Sequence, residues 1–410
     1  MKIVVVGAGI VGVCSASYLL RDGHEVVLVD RGEPGDGCSK GNAGALSPGS
    51  CIPMSAPGVL RKVPKWLLDP LGPLHIRPSY LPRAVPWLAR FAAAGRAQNI
   101  DGLADALRAM HRHTFENYAP LVSGAGCTDL IRRTGTLVVF KNDRSLADSQ
   151  REWDLRAARQ VRQQRLAAAE MHALVPGLSA AYRHGILLPE HGFVADPHRL
   201  TRSLAGAFVE AGGTLLQTSV DAIEDAGPDG ARLRLADGEL TTDRCVLAAG
   251  AWSTKLLWPL GLRLPLETQR GYHVMVAEPN VKPLLPVVSA DGKIYATPME
   301  HGLRFAGTVE FAGLEAPPDD RRADALVPLA RDLFPDLRID GKDRWMGHRP
   351  CLPDSLPVVG PVAGHPALLL AFGHGHHGMT GASTTGRLVA DMIARRAPEI
   401  DPAPYRADRF

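Results

Sequence analysis

Three glycines, an acid, an arginine and a run of histidines are the residues whose types and spacing carry chemistry here. Gly7, Gly9 and Gly12 stand in G-x-G-x-x-G spacing directly after the β-branched run Ile3–Val6. In such a segment the first glycine permits a tight turn and the second lets backbone approach a pyrophosphate. The third lets helix and strand pack closely, with the helix N-terminus facing the phosphate charge. Ala16 and Leu19 continue one helical face, Gly23 closes the helix, and the apolar run Val26–Val29 ends in Asp30. An acid at that point is placed to accept hydrogen bonds from a ribose hydroxyl. Strand, helix, second strand and acid in register predict dinucleotide binding without choosing between NAD and FAD.

Other segments offer contacts to such a ligand or to a second one. Residues 37–49, GCSKGNAGALSPG, set Ser39 and Asn42 beside Gly41 and Gly44. Such a stretch wraps a flat cofactor closely or makes a surface loop. The run Val246–Gly250 repeats the strand-to-glycine pattern of the N-terminus. Arg349, in GHRP, carries a planar guanidinium suited to a bidentate pair with a carboxylate, though an arginine there also suits the surface. Tyr272 follows Arg270 and Gly271 and reads as a pocket residue or a core tyrosine on a strand. His374, His376 and His377 alternate with glycine in GHGHHG. With no carboxylate or cysteine ligand nearby, the chemistry argues against metal; these histidines either reach a ligand or hold a packed loop together.

The elements that must position these residues follow from length and patterning. The 410 residues are too many for one ordinary core, so two domains are expected. Composition is close to the soluble average, and the net charge of 46 − 43 = +3 argues against a nucleic-acid binder. Six cysteines form no C-x-x-C pair and no zinc spacing, which predicts reduced thiols and a cytoplasmic protein. No apolar run is long enough to span a membrane, and Ile3–Val6 is too short for a signal peptide. Residues 57–96 are rich in proline and cations and predict short helices broken at Pro64, Pro70, Pro73, Pro78, Pro82 and Pro86. Helices are expected near 101–121, 144–173, 196–211 (with Asp196 as its cap), 324–335 and 380–396. Strands are expected near 136–140, 214–224, 231–240, 245–250, 266–277, 293–299, 302–308 and 367–372, with Asp237-Gly238 as a hairpin turn.

Taken in order, seven segments resemble the D-amino-acid oxidase-type superfamily of flavoproteins, and its D-amino acid dehydrogenase branch above all. They are GAGIVG with Asp30, CSKGNAG (38–44), LAAGAWS (247–253), QRGYHV (269–274), LRFAGTVEF (303–311), GHRPCLPDSLPVVG (347–360) and GHGHHGMT (373–380). The resemblance spans nearly the whole chain. It implies an α/β, Rossmann-type FAD-binding domain that is discontinuous (1–57, 190–262 and 343–410), with an α+β substrate domain built on an antiparallel sheet (58–189 and 263–342). It implies FAD, held by Gly7, Gly9, Gly12, Asp30 and Arg31 at the ADP half. Ser39, Asn42, Gly44 and Gly250 would follow along its middle. Gly373, His374, Gly375, Gly378, Met379 and Thr380 would sit at the flavin, where a helix N-terminus stabilises negative charge. Arg349 would bind an amino acid's carboxylate, with Tyr272 donating a second hydrogen bond. His376 and His377 depart from the branch's usual small or apolar residues and are candidates to contact the substrate. Cys351 is out of register with the cysteines that attach flavin in some relatives, so non-covalent FAD is expected.

The resemblance further implies hydride-type transfer from the substrate α-carbon, giving an imino acid. Cyclic substrates such as D-proline or cis-4-hydroxy-D-proline are one expectation, from PDSLPVVG and the histidine turn. The acceptor is expected to be a quinone or another carrier. The stretch 57–96, with Arg61, Lys62, Lys65, Arg77, Arg83, Arg90 and Arg96 around Trp66, Tyr80 and Trp87, is a candidate for peripheral contact with the inner face of the cytoplasmic membrane. An oxygen-using glycine or sarcosine-type oxidase, or a non-catalytic flavin subunit of a larger complex, are the alternatives.

Overall fold

The β-branched runs assemble first. Thr214–Gln217, Glu25–Asp30, Lys2–Val6, Arg244–Leu247 and His365–Phe372 lie side by side in parallel, and Val358–Val362 adds an antiparallel edge. Covered on both faces, the inner strands are apolar almost throughout. This computed structural model describes residues 1–56 and 72–410. Helices Ile10–Arg21 and Gly378–Ile393 cover one face, and Gly386 lets them touch, since a Cβ there would lie 2.7 Å from the Cys14 backbone. The meander Val220–Gly227, Gly230–Leu235 and Gly238–Thr242 covers the other face.

A second, nine-stranded sheet is mixed. Its site-bearing part is antiparallel: Lys342–Cys351, Glu267–Val276, Gly302–Phe311 and Ile294–Met299 in that order. Leu74–Ile76 pairs in parallel with the outer end of Gly302–Phe311. Helix Leu326–Leu333 packs its apolar face on this sheet.

Several expected boundaries move. The strand Lys342–Cys351 pairs along its length with Glu267–Val276, so the resumption expected at 343 falls inside the second sheet. Residues 97–124 form two helices, Ala97–Arg112 and Thr114–Gly124, that break at His113. Their apolar faces pack into the core of the first sheet rather than the second, because Met110, Phe115 and Tyr118 meet the closing helix there. The cationic stretch 144–173 is not one helix but helices Asp143–Ala147, Gln150–Ala158 and Ala168–Leu174 with strand Gln164–Leu166 between them. Leu81–Ala94 runs as a single helix through Pro86. Asp196 caps helix Pro197–Glu210 as expected, its Oδ1 accepting from the backbone N–H groups of His198 and Arg199.

Candidate active site

Backbone builds the first cavity, of about 770 Å³. Gly7 has φ +109°, and a Cβ there would come within 2.5 Å of the Ala248 carbonyl oxygen. A Cβ on Gly12 would overlap the Gly7 carbonyl oxygen, which fixes the helix against the turn. Gly9 is different. Its nearest neighbour would be Ser39 Oγ at 3.5 Å, so the protein leaves room for a side chain that the cavity does not. The Ser39 hydroxyl accepts from the Ile10 N–H at 3.0 Å, and no side chain of the cap residue Gly9 competes for the helix N-terminus. Asp30 lines the same cavity, its carboxylate accepting from the Ala8 and Gly32 N–H groups at 2.7 and 3.0 Å. Arg31 lies 4.5 Å over the Trp252 ring, a flat pairing at the same wall.

Asn42, Gly250, Gly373, His374, Gly375, Gly378 and Met379 also line this cavity. His374 contacts Thr385 Oγ1 through Nε2 at 2.8 Å, and burial pulls its pKa down to about 3. Three residues expected to hold the cofactor line neither cavity described here: Gly12, which packs the helix on the turn, Gly44 and Thr380. Gly44 adopts φ +73° against the Val194 carbonyl and takes a cap from Asn42 Oδ1. Thr380 donates from Oγ1 to the Ala45 carbonyl at 3.0 Å and accepts from the Ser47 N–H. Both hold the 42–47 loop, because a turn and a helix side chain must anchor it. The cavity's bare helix N-terminus, backbone-lined glycine wall and terminal acid fit a dinucleotide cofactor.

Side chains build the second cavity, of about 690 Å³. Arg349, His376 and His377 meet here as expected. The Arg349 guanidinium lies on Gly271, where any Cβ would overlap its Cζ. Its Nη1 donates to the Thr308 carbonyl at 3.0 Å. Burial draws its pKa downward, the thiols Cys38 and Cys351 pull the other way, and no carboxylate lines the cavity among the described residues. His377 stands against His111 with ring centres 5.0 Å apart, and burial pulls its pKa down to about 4. Burial likewise pulls His376 well below the usual histidine range, and its buried Nδ1 has no hydrogen-bond partner among the described residues. The far wall is apolar: Leu74, Ile76, Trp87, Leu88, Phe91 and Phe311.

Tyr272 also lines this cavity, but its hydroxyl departs from expectation. It is a buried strand residue whose hydroxyl donates to Glu310 Oε2 at 2.6 Å and accepts from the Asp319 N–H at 3.2 Å. Burial pushes its pKa up to about 12, and the Glu310 carboxylate adds to that. The one hydroxyl proton is therefore engaged, so the expected second bond to a ligand carboxylate is a correction. Glu310 itself sits between Arg77 and Arg270; burial pushes its carboxyl up, but Tyr272 and the two guanidiniums outweigh that and hold it below the usual range.

Of the cationic stretch, residues 61–66 lie outside the described residues. Tyr80 and Trp87 turn inward: the Tyr80 hydroxyl contacts Glu267 and Trp87 Nε1 donates to the Cys351 carbonyl at 3.3 Å. Sequence reasoning missed Gln269, Thr308 and Trp345. Gln269 and Thr308 are polar residues in strand segments and give no local signal. Trp345, which borders both cavities and stacks on His273 at 5.2 Å, reads as an ordinary strand aromatic.

A dinucleotide cleft beside a cavity whose partly buried arginine faces no carboxylate among the described residues is the layout of a cofactor-dependent oxidoreductase. The chain belongs to the FAD dependent oxidoreductase family, whose model matches residues 2–392, and its cofactor is FAD. It is 40% identical to a D-amino-acid oxidase of Bradyrhizobium diazoefficiens over 100% of this chain and 98% of that one. It is 36% identical to D-amino acid dehydrogenase 2 of Ralstonia nicotianae over 100% of both chains. Among solved structures, glycine oxidase from Geobacillus kaustophilus superposes with a TM-score of 0.75 at 24% identity, covering 100% of this chain and 99% of that one. Parallel cofactor sheet and mixed second sheet are therefore the family's fold.

Proposed function

We propose that the protein oxidises the Cα–N bond of D-amino acids to imino acids. The observation that carries this is Arg349: a partly buried guanidinium, with no carboxylate in its cavity among the described residues, beside the cofactor cleft. The names of the full-length relatives support the D-amino acid as the substrate class. FAD, when bound, accepts the two electrons and the hydrogen from the substrate α-carbon. The glycine turn, Asp30 and Arg31 would hold its ADP half, Ser39 would follow along its middle, and His374 to Met379 would border its other end. Arg349 binds the substrate carboxylate and orients the α-carbon. The apolar wall excludes water and favours the neutral amine, the form that reacts. The imino acid then hydrolyses to a keto acid and ammonia; a cyclic amine leaves as a cyclic imine. Cys351 is buried with its thiol pKa pushed up by burial, which supports non-covalent FAD.

Prolyl substrates fit the same reading, since a ring packs on Leu74, Ile76 and Phe91 while a ring hydroxyl meets the histidine turn. The acceptor is a quinone or another carrier rather than oxygen. Helix Leu81–Ala94 supports a peripheral membrane contact: Leu81 is 44% and Val85 51% exposed, on an outward face that also carries Arg83 and Arg90. The deciding experiment is anaerobic bleaching of the bound flavin with a D-amino acid panel. Bleaching by D-amino acids and none by their L-forms supports the reading; no bleaching by any member sinks it. Faster turnover of D-alanine than of D-proline and cis-4-hydroxy-D-proline removes the prolyl preference. Oxygen uptake matching turnover assigns an oxidase instead. Co-sedimentation with anionic vesicles that salt does not weaken, or that never occurs, removes the electrostatic membrane contact.

A further inference from the structure

The antiparallel pairing of Glu267–Val276 with Gly302–Phe311 slips by one residue at the cavity. Arg270 pairs with Glu310 and Tyr272 with Gly307, so Thr308 and Val309 together oppose Gly271. That is a β-bulge, a device that re-aims a side chain beside a site. Thr308 pays for its place with φ +59°. It is the β-branched member of the non-glycine residues with positive φ among the described residues, a conformation that strains a branched side chain. The bulge turns its carbonyl to Arg349 and leaves its hydroxyl buried in the cavity without a partner. Thr308 is 8% exposed. Gln269, 3% exposed, pairs directly across the strands with Arg349, and its Oε1 is also buried without a partner in the same cavity. Orphaned acceptors of this kind are costly in a folded protein and call for a ligand donor.

From these positions we infer that Gln269 and Thr308 form the amine half of the amino-acid clamp, accepting hydrogen bonds from the substrate nitrogen while Arg349 holds the carboxylate. This inference rests on the carboxylate role proposed for Arg349. A guanidinium offers donors only, so it has nothing to give an amine. In an α-amino acid the nitrogen sits one carbon from the carboxylate; Gln269 pairs with Arg349 across the strands, the Thr308 carbonyl takes a bond from its guanidinium, and all three residues line one cavity. Their neutrality matters as well. A carboxylate in their place would stabilise the ammonium form, whereas an amide oxygen and a hydroxyl accept from the neutral amine without favouring its charge. Thr308 and Gln269 thereby select a ligand with nitrogen at the α-position over one with carbon there.

The test uses the FAD-loaded enzyme and two ligand pairs that differ at the nitrogen: D-proline with cyclopentanecarboxylate, and D-alanine with propionate. Half-saturation is read from flavin bleaching for the amino acids. The Kd of each deamino acid is read from its shift of the flavin absorbance. Thr308→Val keeps the β-branched shape and removes the hydroxyl; Gln269→Met keeps the length and removes the amide. Each is expected to raise half-saturation for the amino acid about tenfold and leave the deamino acid Kd within about twofold. Thr308→Ser, which retains the hydroxyl, is expected to stay near wild type. Unchanged half-saturation in both the Val and Met variants overturns the inference. So does an equal weakening of both ligands of a pair, which would mean that these residues act through Arg349. Arg349→Met separates the two levels: if it leaves deamino acid binding intact, the carboxylate clamp itself fails and the amine half falls with it. If Arg349→Met abolishes that binding while the Thr308 and Gln269 variants change nothing, only the amine half fails.

Discussion

The two cavities are made of different material. The cofactor cleft is walled largely by backbone: glycines that let a turn, a strand end and a helix N-terminus approach one another. The amino-acid cavity is walled by side chains from strands far apart in sequence, with Arg349 laid over Gly271 and Thr308 pushed in by a bulge. A glycine serves both, but for opposite reasons. Gly12 makes room for the fold itself, while Gly271 makes room for a functional group. A wall of backbone tolerates no added atom, because backbone cannot swing aside; a wall of side chains gives way and loses its aim instead.

Gly12→Ala should have the largest effect. Its methyl would overlap the Gly7 carbonyl oxygen, so the expected outcome is no FAD-loaded soluble protein, read from the flavin absorbance of the purified chain. Glu310→Gln removes the charge between Arg77 and fully buried Arg270, and chemical denaturation should show a loss of about 3 kcal/mol. An intact stability would mean that the backbone carbonyls around Arg270 suffice. Gly271→Ala sharpens the contrast with Gly12→Ala. The added methyl meets the mobile end of Arg349, so FAD content and stability should hold while half-saturation for a D-amino acid rises about thirtyfold. Equal loss of flavin in both glycine variants would break the distinction between the two walls.

Acid should strain both cavities together. Burial draws His191, His273 and His374 down to about 3 and His377 to about 4, against about 6.5 in the unfolded chain. Between those values the unfolded chain takes up protons that the native one refuses. Stability from this source is complete above about pH 6.5 and falls as pH drops toward 3. Thermal melts of the loaded enzyme at pH 7.5 and 5.5, a range above most carboxylate titration, should show a lower Tm at 5.5, by about 1 kcal/mol in stability terms for each of the four histidines that stays unprotonated. A flat profile would mean that these histidines are hydrated in solution. The smallest effect is expected from Ser39→Ala, which strips one acceptor from the helix N-terminus at Ile10; FAD affinity should weaken about fivefold, or about 1 kcal/mol, by flavin titration of the apoprotein.

Much of this was legible in the chain. The cofactor cleft is local: Gly7, Gly9, Gly12 and Asp30 lie within one strand–helix–strand unit, so their spacing dictates their geometry. Arg349 was legible through a motif, since a guanidinium between strand residues is uncommon and its chemistry is narrow. Tyr272 lines the second cavity as a pocket reading implies, but the engagement of its hydroxyl was not legible, because period-2 alternation does not say what lies beneath a strand; its partner Glu310 arrives from a neighbouring strand. The helices at 97–124 were placed with the wrong sheet for the same reason, as an amphipathic face does not name the core it joins.

Sequence alone pointed to the cleft and the family, and through the family's G-x-R-P motif to Arg349, because each is encoded by residues close together in the chain. Only the tertiary structure decided which polar atoms share a cavity with that arginine. Gln269, Thr308 and Arg349 belong to three strands, and they meet through inter-strand register and one bulge. Register is a property of pairing between distant segments, and a one-residue slip reverses which face a side chain takes. No single segment of the chain contains that information.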